Sequence, residues 1–264
     1  MDLGLGSRVA VVTGGASGIG RACAAAFAAE GARPVVWDVD ADAAAQVAAE
    51  LGGAGFGVDV ADEGSVSKAL ARTIDAVGPV DHVVHAAAVG SGKFGFPFTN
   101  LSPADWERVL TVNVMGTAIL AHALAPHMAD RGRGTIVLIA SIAGQIGSQT
   151  DPPYSASKAA NINFAMCMAK DLAPRGVRVN TVCPGMVRTP LNKATWRAWH
   201  DAAPPVERMS YDEWAERKIK AVAPLGRWQT PESIAAMVVF LSSDRAGDVT
   251  GQTVNVDGGQ VMHW

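Results

Sequence analysis

Residues 9–20 read VAVVTGGASGIG, and this stretch decides the fold. A compact β-branched run ends at a glycine cluster, and an alanine-rich helical pattern begins directly after it. Glycines allow the backbone to turn tightly and to approach a ligand closely. A helix that begins behind them offers free N–H groups and the positive end of its dipole to a pyrophosphate. The stretch therefore predicts a strand, a phosphate-binding turn and a helix.

The same alternation of strand and helix continues along the chain. The predicted strands are residues 9–13, 34–38, 55–59, 81–85, 135–141, 178–183 and 253–256. The predicted helices are residues 18–30, 40–51, 63–77, 103–130, 154–173 and 231–241. Strands that alternate with helices form parallel βαβ units, and right-handed crossovers then give a doubly wound α/β sheet with helices on both faces.

Residues 189–223 are the one region that interrupts this alternation, and they are expected to be irregular. No repeat, low-complexity tract or linker divides the chain. We therefore expect a single domain over residues 1–264. Because long irregular insertions in compact domains are often lids, we expect residues 189–223 to form a substrate lid.

Composition excludes several classes of function. The 264 residues are 49% hydrophobic, which is ample for a core, and carry a net charge of −3, which gives no electrostatic case for nucleic acid or an anionic membrane. The three cysteines are far apart and predict no metal site. No signal peptide is expected, and no segment is expected to approach the roughly 18 apolar residues of a membrane span. These features favour a soluble cytoplasmic enzyme.

Asp38 ends the second predicted strand, one helix beyond the glycine turn. An acid at this position accepts hydrogen bonds from both ribose hydroxyls of a dinucleotide, and it repels a 2′-phosphate. No Arg or Lys lies in residues 36–40. Asp40 is the better candidate for the cap of the next helix, so the sequence predicts NAD as the cofactor.

Asp59 and Val60 follow the third predicted strand. From there they can reach the adenine edge of the cofactor. The alternative is that Asp59 caps the next helix.

The second half of the chain contains candidate catalytic side chains. Tyr154 and Lys158 are four residues apart, so they share one face of a helix. A cation beside a tyrosine lowers the pKa of its hydroxyl, so that Tyr154 exchanges a proton near neutrality. Ser141 ends the fifth strand, at the sheet edge where open α/β sheets bind ligands. Asn113 lies in a helical pattern that it fits poorly, and it either holds a water or opens the helix locally.

In their order and spacing, these residues resemble the short-chain dehydrogenase/reductase family over essentially the whole chain. The matching positions are residues 13–20, Asp38, Asp59, Asn113, Ser141, residues 154–158, 184–185 and 257–259. The resemblance implies one Rossmann-type domain with seven parallel strands. It also implies hydride transfer between nicotinamide and a secondary alcohol or ketone, and looks nearest to acetoin/butanediol, polyol and secondary-alcohol dehydrogenases.

The resemblance further implies a catalytic tetrad of Asn113, Ser141, Tyr154 and Lys158. In it, Lys158 also holds the nicotinamide ribose, and Asn113 supports a water-linked proton relay. The implied cofactor contacts are Gly14, Ser17, Gly18, Ile19, Gly20, Asp38, Asp59, Val60, Ala86, Val112, Tyr154, Lys158, Pro184, Gly185, Val187 and Thr189.

One departure from the family follows the fourth strand. His85, Ala86, Ala87 and Ala88 stand where relatives usually have Asn-Asn-Ala-Gly. The bracing bonds of the missing asparagine are in doubt, although His85 can donate or accept in its place.

The sequence predicts the substrate contacts less specifically than the cofactor contacts. Gln145 and Gln149 lie between Ser141 and Tyr154 and are placed to meet a polar substrate. The aromatic residues of 189–223, Trp196 among them, either cover the substrate or pack the lid against the domain.

Two alternative functions remain at this point. One is a ketoacyl or ketosteroid reductase of the same family, which the case for NAD disfavours. The other is a non-catalytic NAD-sensing protein, which has no need of a complete tetrad.

Assembly is the last expectation. Most relatives are tetramers, and the tail, residues 259–264, ends in a large aromatic residue. We expect a homotetramer with the tail at a subunit interface, where His263 or Trp264 helps shape a neighbour's pocket. The alternative is that Trp264 folds back on its own subunit.

Overall fold

Parallel strands form the centre of the computed structural model, which describes residues 2–262. Within these residues one sheet holds seven parallel strands in the order β3-β2-β1-β4-β5-β6-β7. The strands are β1 (Val9–Thr13), β2 (Arg33–Asp38), β3 (Ala54–Gly57), β4 (His82–His85), β5 (Gly134–Ile139), β6 (Val177–Pro184) and β7 (Thr253–Val256). The predicted doubly wound fold is confirmed.

Helices cover both faces of the sheet. They are α1 (Gly18–Ala29), α2 (Ala41–Glu50), α3 (Glu63–Ala76), α4 (Pro103–Leu110), α5 (Gly116–Asp130), α6 (Pro152–Leu172), α7 (Pro190–Ala202), α8 (Tyr211–Val222) and α9 (Pro231–Ser242). Alternate residues of each strand point to opposite faces. Ala10 and Val12 therefore pack under α1 and α9, whereas Val9 and Val11 pack under α3, α5 and α6.

The order of the strands positions the site. The chain winds outward from β1 to β3, returns beside β1 to form β4, and then winds outward to β7. The winding direction reverses between β1 and β4. A crevice opens at the carboxyl ends of the strands on either side of such a reversal, and open α/β sheets bind ligands there.

The long predicted helix 103–130 is not continuous. A π-helical turn over Thr111–Met115 separates α4 from α5. The stretch Pro103–Asp130 is long and apolar enough to cross a membrane by length and composition, so the expectation that no segment approaches a span is wrong. In this fold Leu120, Leu124 and Met128 of the stretch pack against the sheet.

Residues 189–223 are helical, so the expectation of an irregular segment is wrong. Thr189 caps α7 by accepting from the Asn192 N–H at 3.2 Å. Ser210 and Glu213 form a capping box at the start of α8. The sequence carried this signal as a serine followed three residues later by a glutamate. Every other predicted element agrees with the structure to within two residues at each end.

Candidate active site

In the glycine turn between β1 and α1, backbone atoms of separate residues lie so close that only glycine fits. Gly14 has a φ of +62°, and a Cβ atom there would lie 2.8 Å from the Cα of Ala87. A Cβ atom on Gly20 would lie 2.1 Å from the carbonyl oxygen of Gly14. Ser17, the residue before α1, makes no side-chain capping bond. The first N–H groups of α1 therefore receive no cap from Ser17, which fits a pyrophosphate-binding helix start.

The carboxylate of Asp38 is fixed beside this turn. Its Oδ2 accepts from the Ala16 N–H at 3.1 Å, and its Oδ1 accepts from the Asp40 N–H at 3.2 Å. Asp40 caps α2 through the Ala43 N–H at 3.0 Å, as predicted. Asp38 is left with lone pairs for ribose hydroxyls, because each carboxylate oxygen accepts more than one bond.

The alternative role of Asp59 as a helix cap is wrong. Asp62 caps α3 by accepting from the Ser65 N–H at 2.9 Å. Asp59 is exposed and accepts from the Ala61 N–H at 2.9 Å. Val60 is buried, and a Cβ atom on Gly116 would lie 3.0 Å from its Cγ2. The contact of Asp59 and Val60 with adenine stays a prediction.

Asn113 lies in the π-helical turn, so the expected local opening of the helix is observed. Its side-chain amide donates to the Val89 carbonyl at 2.9 Å and accepts from the Val89 N–H at 2.9 Å. It also donates to the Ser157 hydroxyl at 3.0 Å. Asn113 therefore ties the loop after β4 to α6. Ser157, which the sequence reasoning missed, lies next to Lys158 in the same motif.

The structure brings Ser141, Tyr154 and Lys158 together at the carboxyl edge of the sheet. Ser141 lies two residues beyond β5 and close enough to the Tyr154 hydroxyl to lower its pKa. The Lys158 Nζ lies 5.5 Å from the centre of the Tyr154 ring and donates to the Ile139 carbonyl at 2.8 Å. These three side chains are placed to bind an alcohol oxygen and to exchange its proton.

The pKa of Tyr154 is not lowered in the polypeptide alone. Burial raises it above its usual value, and the Ser141 hydroxyl only partly opposes this shift. Burial also lowers the pKa of Lys158 to about 8. The expectation that Lys158 brings the pKa of Tyr154 toward neutrality is therefore wrong for the chain alone, because the ammonium is itself desolvated and is bonded to Ile139.

His85 supplies the bonds that were in doubt after β4. Its Nδ1 lies 2.7 Å from the Thr13 hydroxyl, whose oxygen accepts from the Ala87 N–H at 3.3 Å. The ends of β1 and β4 are thus braced by a histidine. Burial, with a smaller contribution from the charge of Lys158, lowers the pKa of His85 to about 3. The ring is neutral near pH 7 and is not a catalytic base.

The predicted nicotinamide-side residues lie at and after the end of β6, and one of them, Thr189, lies beside the glycine turn. Pro184 ends β6, and a Cβ atom on Gly185 would lie 2.7 Å from the Cα of Asp257. Thr189 begins α7, and a Cβ atom on Gly18 would lie 3.6 Å from its Cγ2. Val187 is buried beneath this segment.

The remaining predicted cofactor positions, Ala86 and Val112, lie where the crevice opens. The Ala86 N–H donates to the Thr13 carbonyl at 3.2 Å, which places Ala86 at the end of β4. Val112 is half-buried in the π-helical turn beside Asn113.

Two of the three predicted substrate residues have partners within the chain. The Gln145 amide donates to Asn255 at 2.7 Å and accepts from it at 3.0 Å. The Trp196 indole N–H donates to the Met209 carbonyl at 3.3 Å. Gln149 is exposed.

The aromatic residues of 189–223 pack chiefly on one another. Trp196 lies edge-on to Tyr211 with ring centres 5.7 Å apart, and Trp199 lies 6.3 Å from Trp214. They join α7 to α8, which favours the packing interpretation of these side chains.

Comparison with known proteins gives consistent matches over nearly the whole chain. The family model for enoyl-(acyl carrier protein) reductase matches residues 14–261. D-threitol dehydrogenase of Mycolicibacterium smegmatis is 36% identical over 99% of this chain and 95% of its own length. 2-(S)-hydroxypropyl-CoM dehydrogenase 3 of Xanthobacter autotrophicus is 39% identical over 97% of each chain.

One solved structure is also similar to this chain over nearly its whole length. It is described as ribose-5-phosphate isomerase from Brucella melitensis 16M, and it superposes with a TM-score of 0.85 at 35% identity. The match covers 97% of this chain and 92% of that one.

Proposed function

The chain belongs to the short-chain dehydrogenase/reductase family and is an oxidoreductase that interconverts a secondary alcohol and a ketone; we propose that it uses NAD and acts on a small diol, polyol or simple secondary alcohol. The single observation that carries the proposal is the convergence of Ser141, Tyr154 and Lys158 at the sheet edge. One relative acts on threitol, as its name states, and this supports a polyhydroxy substrate.

Asp38 supports NAD as the cofactor. Its carboxylate is held beside the glycine turn by the N–H groups of Ala16 and Asp40. A 2′-phosphate at the ribose would meet this negative charge, whereas two ribose hydroxyls would donate to it. When bound, nicotinamide supplies the hydride acceptor for alcohol oxidation and the hydride donor for ketone reduction.

The chain's own residues move the proton. The Ser141 hydroxyl holds the substrate oxygen; in oxidation the deprotonated Tyr154 accepts the alcohol proton, and in reduction the Tyr154 hydroxyl donates its proton to the ketone oxygen. Because burial raises its pKa, Tyr154 is protonated near neutrality and ready as a donor. The Lys158 Nζ lies 5.5 Å from the centre of the Tyr154 ring, where, as the family resemblance implies, it would hold the nicotinamide ribose.

The test is a substrate screen. Purified protein is incubated with NAD or NADP and with diols, sugar alcohols, aryl alcohols and hydroxyacyl thioesters, and NADH formation is followed by absorbance. Turnover of small alcohols with NAD is expected. Turnover of thioesters alone would favour the acyl reductase alternative, and an absence of turnover with detectable NAD binding would favour a sensor.

We propose a cytoplasmic homotetramer built from one domain per chain. The three thiols are free, which is typical of a reducing compartment. Phe240 of α9 and Met115 beside α5 are exposed apolar side chains of the kind that subunit contacts cover. The α7–α8 pair is proposed as the cover of the substrate site, where Gln149 stays a candidate substrate contact.

A further inference from the structure

A groove of about 480 Å³ opens at the edge of the sheet opposite the proposed active site. Four adjacent strands present a charged residue to it at their amino ends. Arg33 begins β2, and Arg8, Asp81 and Arg133 directly precede β1, β4 and β5. The reacting side chains lie beyond the carboxyl ends of the same parallel strands. Because β1 has five residues, roughly 15 Å of strand separates the two edges.

The groove carries an excess of positive charge. Its lining includes five charged side chains, those of Asp2, Arg8, Arg33, Asp81 and Arg133. Arg131 lies behind the lining and forms an ion pair with Asp81 at 2.7 Å. Four guanidinium groups therefore meet two carboxylates, in a chain whose net charge is −3. Such a local reversal of charge attracts anions to this edge of the sheet.

One carboxylate oxygen is shared among three of these arginines. The Asp81 Oδ1 accepts from Arg131 at 2.7 Å, and it lies 3.2 Å from the Arg133 Nη2 and 3.8 Å from the Arg8 Nη1. The Asp81 Oδ2 accepts from the Val9 N–H at 3.0 Å. A single negative charge does not balance three guanidinium groups, so the cluster is left with positive charge.

Bracing of the strand ends explains Arg131 but not Arg8 and Arg133. Arg131 donates to Asp81 and to the Val80 carbonyl, and only 20% of its side chain is exposed. The Arg8 and Arg133 guanidinium groups donate no hydrogen bond to any residue in 2–262. A guanidinium carries five N–H donors in a fork that matches phosphate oxygens. Both groups therefore have donors left for a ligand.

Arg33 adds a third guanidinium group, which is already fixed in place. Its Nε donates to the Ser7 carbonyl at 3.2 Å, and its Nη1 donates to the Val77 carbonyl at 2.6 Å. Across the part of the chain that the structure describes, no carboxylate pairs with Arg33 and its Nη2 makes no hydrogen bond. Because the side chain is held before a ligand arrives, binding costs little further conformational entropy.

The size and lining of the groove indicate the kind of anion. The strands that carry Arg33 and Arg133 are three apart, roughly 14 Å, so an anion that contacts both carries charge at two or more points. Phosphate groups suit this arrangement better than carboxylates, because each presents three acceptor oxygens. None of the described residues that line the groove is aromatic, so no base or ring is stacked there.

We propose that this groove is a binding site for a small oligophosphate, with Arg8, Arg33 and Arg133 donating to its oxygens. The site is separate from the glycine turn, where the pyrophosphate of the proposed cofactor binds at the carboxyl ends of the strands. The proposal does not depend on which alcohol the protein oxidises.

Calorimetric titration with inorganic triphosphate tests the site. The buffer is free of divalent metal, and saturating NADH occupies the glycine turn. We expect one triphosphate per chain, with a Kd that rises about tenfold or more in Arg8→Gln and in Arg133→Gln, because each variant loses charge-assisted hydrogen bonds. The Kd should also rise with added sodium chloride, and NADH fluorescence should not change.

Arg188→Gln is the matched control at the opposite edge. Its guanidinium lies 3.3 Å from Asp212 and is 53% exposed, whereas that of Arg133 lies 3.2 Å from Asp81 and is 54% exposed. The control should keep the wild-type Kd for triphosphate. Because Arg8 and Arg133 make no side-chain hydrogen bond within the described residues, both groove variants should unfold near the wild-type temperature. If one of them does not fold, the other decides.

Four results would overturn the site. They are a wild-type titration without saturation, an unchanged Kd in the folded groove variants, equal heats with sodium sulfate at the same ionic strength, and displacement of NADH by triphosphate. The last result would place the anion at the glycine turn. Tighter binding of citrate than of triphosphate would overturn the assignment to phosphate. A protein that binds triphosphate as expected but oxidises no alcohol would overturn the proposed function alone.

Discussion

The proposed nucleotide-binding end of the site is built from glycines and backbone N–H groups, whereas the proposed chemical end is built from buried side chains. Gly14 and Gly20 leave no room for a Cβ atom, and Ser17 makes no side-chain cap on the first turn of α1. Asn113 and Lys158, by contrast, are almost completely buried and bonded to other segments. A backbone site depends on local conformation, but a side-chain site depends on how distant segments pack.

The strongest test of the chemical end is Tyr154→Phe. The ring and its packing remain while the proton-exchanging hydroxyl is lost, so turnover should fall by about 10²–10⁴-fold or more. Binding of NADH, followed by its fluorescence, should persist because the nucleotide end is untouched. Ser141→Ala should lose somewhat less, since it orients the oxygen without transferring the proton. If Tyr154→Phe keeps a tenth of wild-type turnover, the assigned mechanism is wrong.

The strongest test of the nucleotide end is the choice of cofactor. The wild type should prefer NAD to NADP by about 30–150-fold in kcat/KM, which corresponds to roughly 2–3 kcal/mol from charge repulsion and lost ribose bonds. Asp38→Ser should remove most of this preference. Asp40→Asn is the matched control, because it lies two residues further on and caps α2. Equal kcat/KM for both cofactors in the wild type would contradict the role of Asp38.

Two buried histidines at opposite ends of β4 predict sensitivity to acid. Burial lowers the pKa of His82 to about 4 and that of His85 to about 3. The unfolded chain takes up these protons near pH 6.5, before the folded chain does. Stability is therefore fully present above about pH 6.5 and is lost as the pH falls, by up to about 1.4 kcal/mol per pH unit for each ring.

Thermal unfolding between pH 7 and pH 5 measures this loss. His85→Asn restores the usual residue of the family and should weaken the pH dependence, whereas His122→Asn, at an exposed position, should not. A pH dependence identical in His85→Asn and the wild type would show that His85 is not buried as a neutral ring.

Hydrogen exchange in α7 and α8 tests whether ligand binding at the glycine turn also orders the proposed cover of the substrate site. Thr189 lies beside Gly18, so cofactor binding at the glycine turn should order the first turn of α7. Hydrogen exchange should slow in residues 189–202 when NAD and a substrate analogue are added, and less in α8, whose aromatic partners are already in place. Unchanged exchange throughout 189–223 would count against a closing cover.

The smallest expected effect concerns the tail. Residues 263–264 lie outside the described residues. Just before them, the Val261 carbonyl accepts a hydrogen bond from the Asn255 side-chain amide at 3.0 Å. Deleting residues 261–264 should weaken the tetramer and lower the melting temperature slightly, because the tail is proposed to lie at an interface. Light scattering gives the particle mass. A truncated protein that stays tetrameric with unchanged melting and kinetics would rule out this role.

Sequence alone determined the features that follow from local pattern. The β-branched runs and glycine turn of residues 9–20 predicted β1, the turn and α1, because backbone conformation there depends on neighbouring residues. The spacing of Tyr154 and Lys158 placed both on one helix face. Within 189–223 the helices also start from local signals, because Thr189 caps α7 and Ser210 caps α8.

Tertiary structure decided which distant side chains meet. His85 reaches Thr13 across 72 residues, Gln145 reaches Asn255 across 110, and Asp151 reaches Ser91 across 60. No periodicity encodes such pairs, because they arise where the carboxyl ends of separate strands and their loops meet at one edge of the sheet. The same packing set the balance of burial and charge that raises the pKa of Tyr154, against the expectation from its spacing to Lys158 alone.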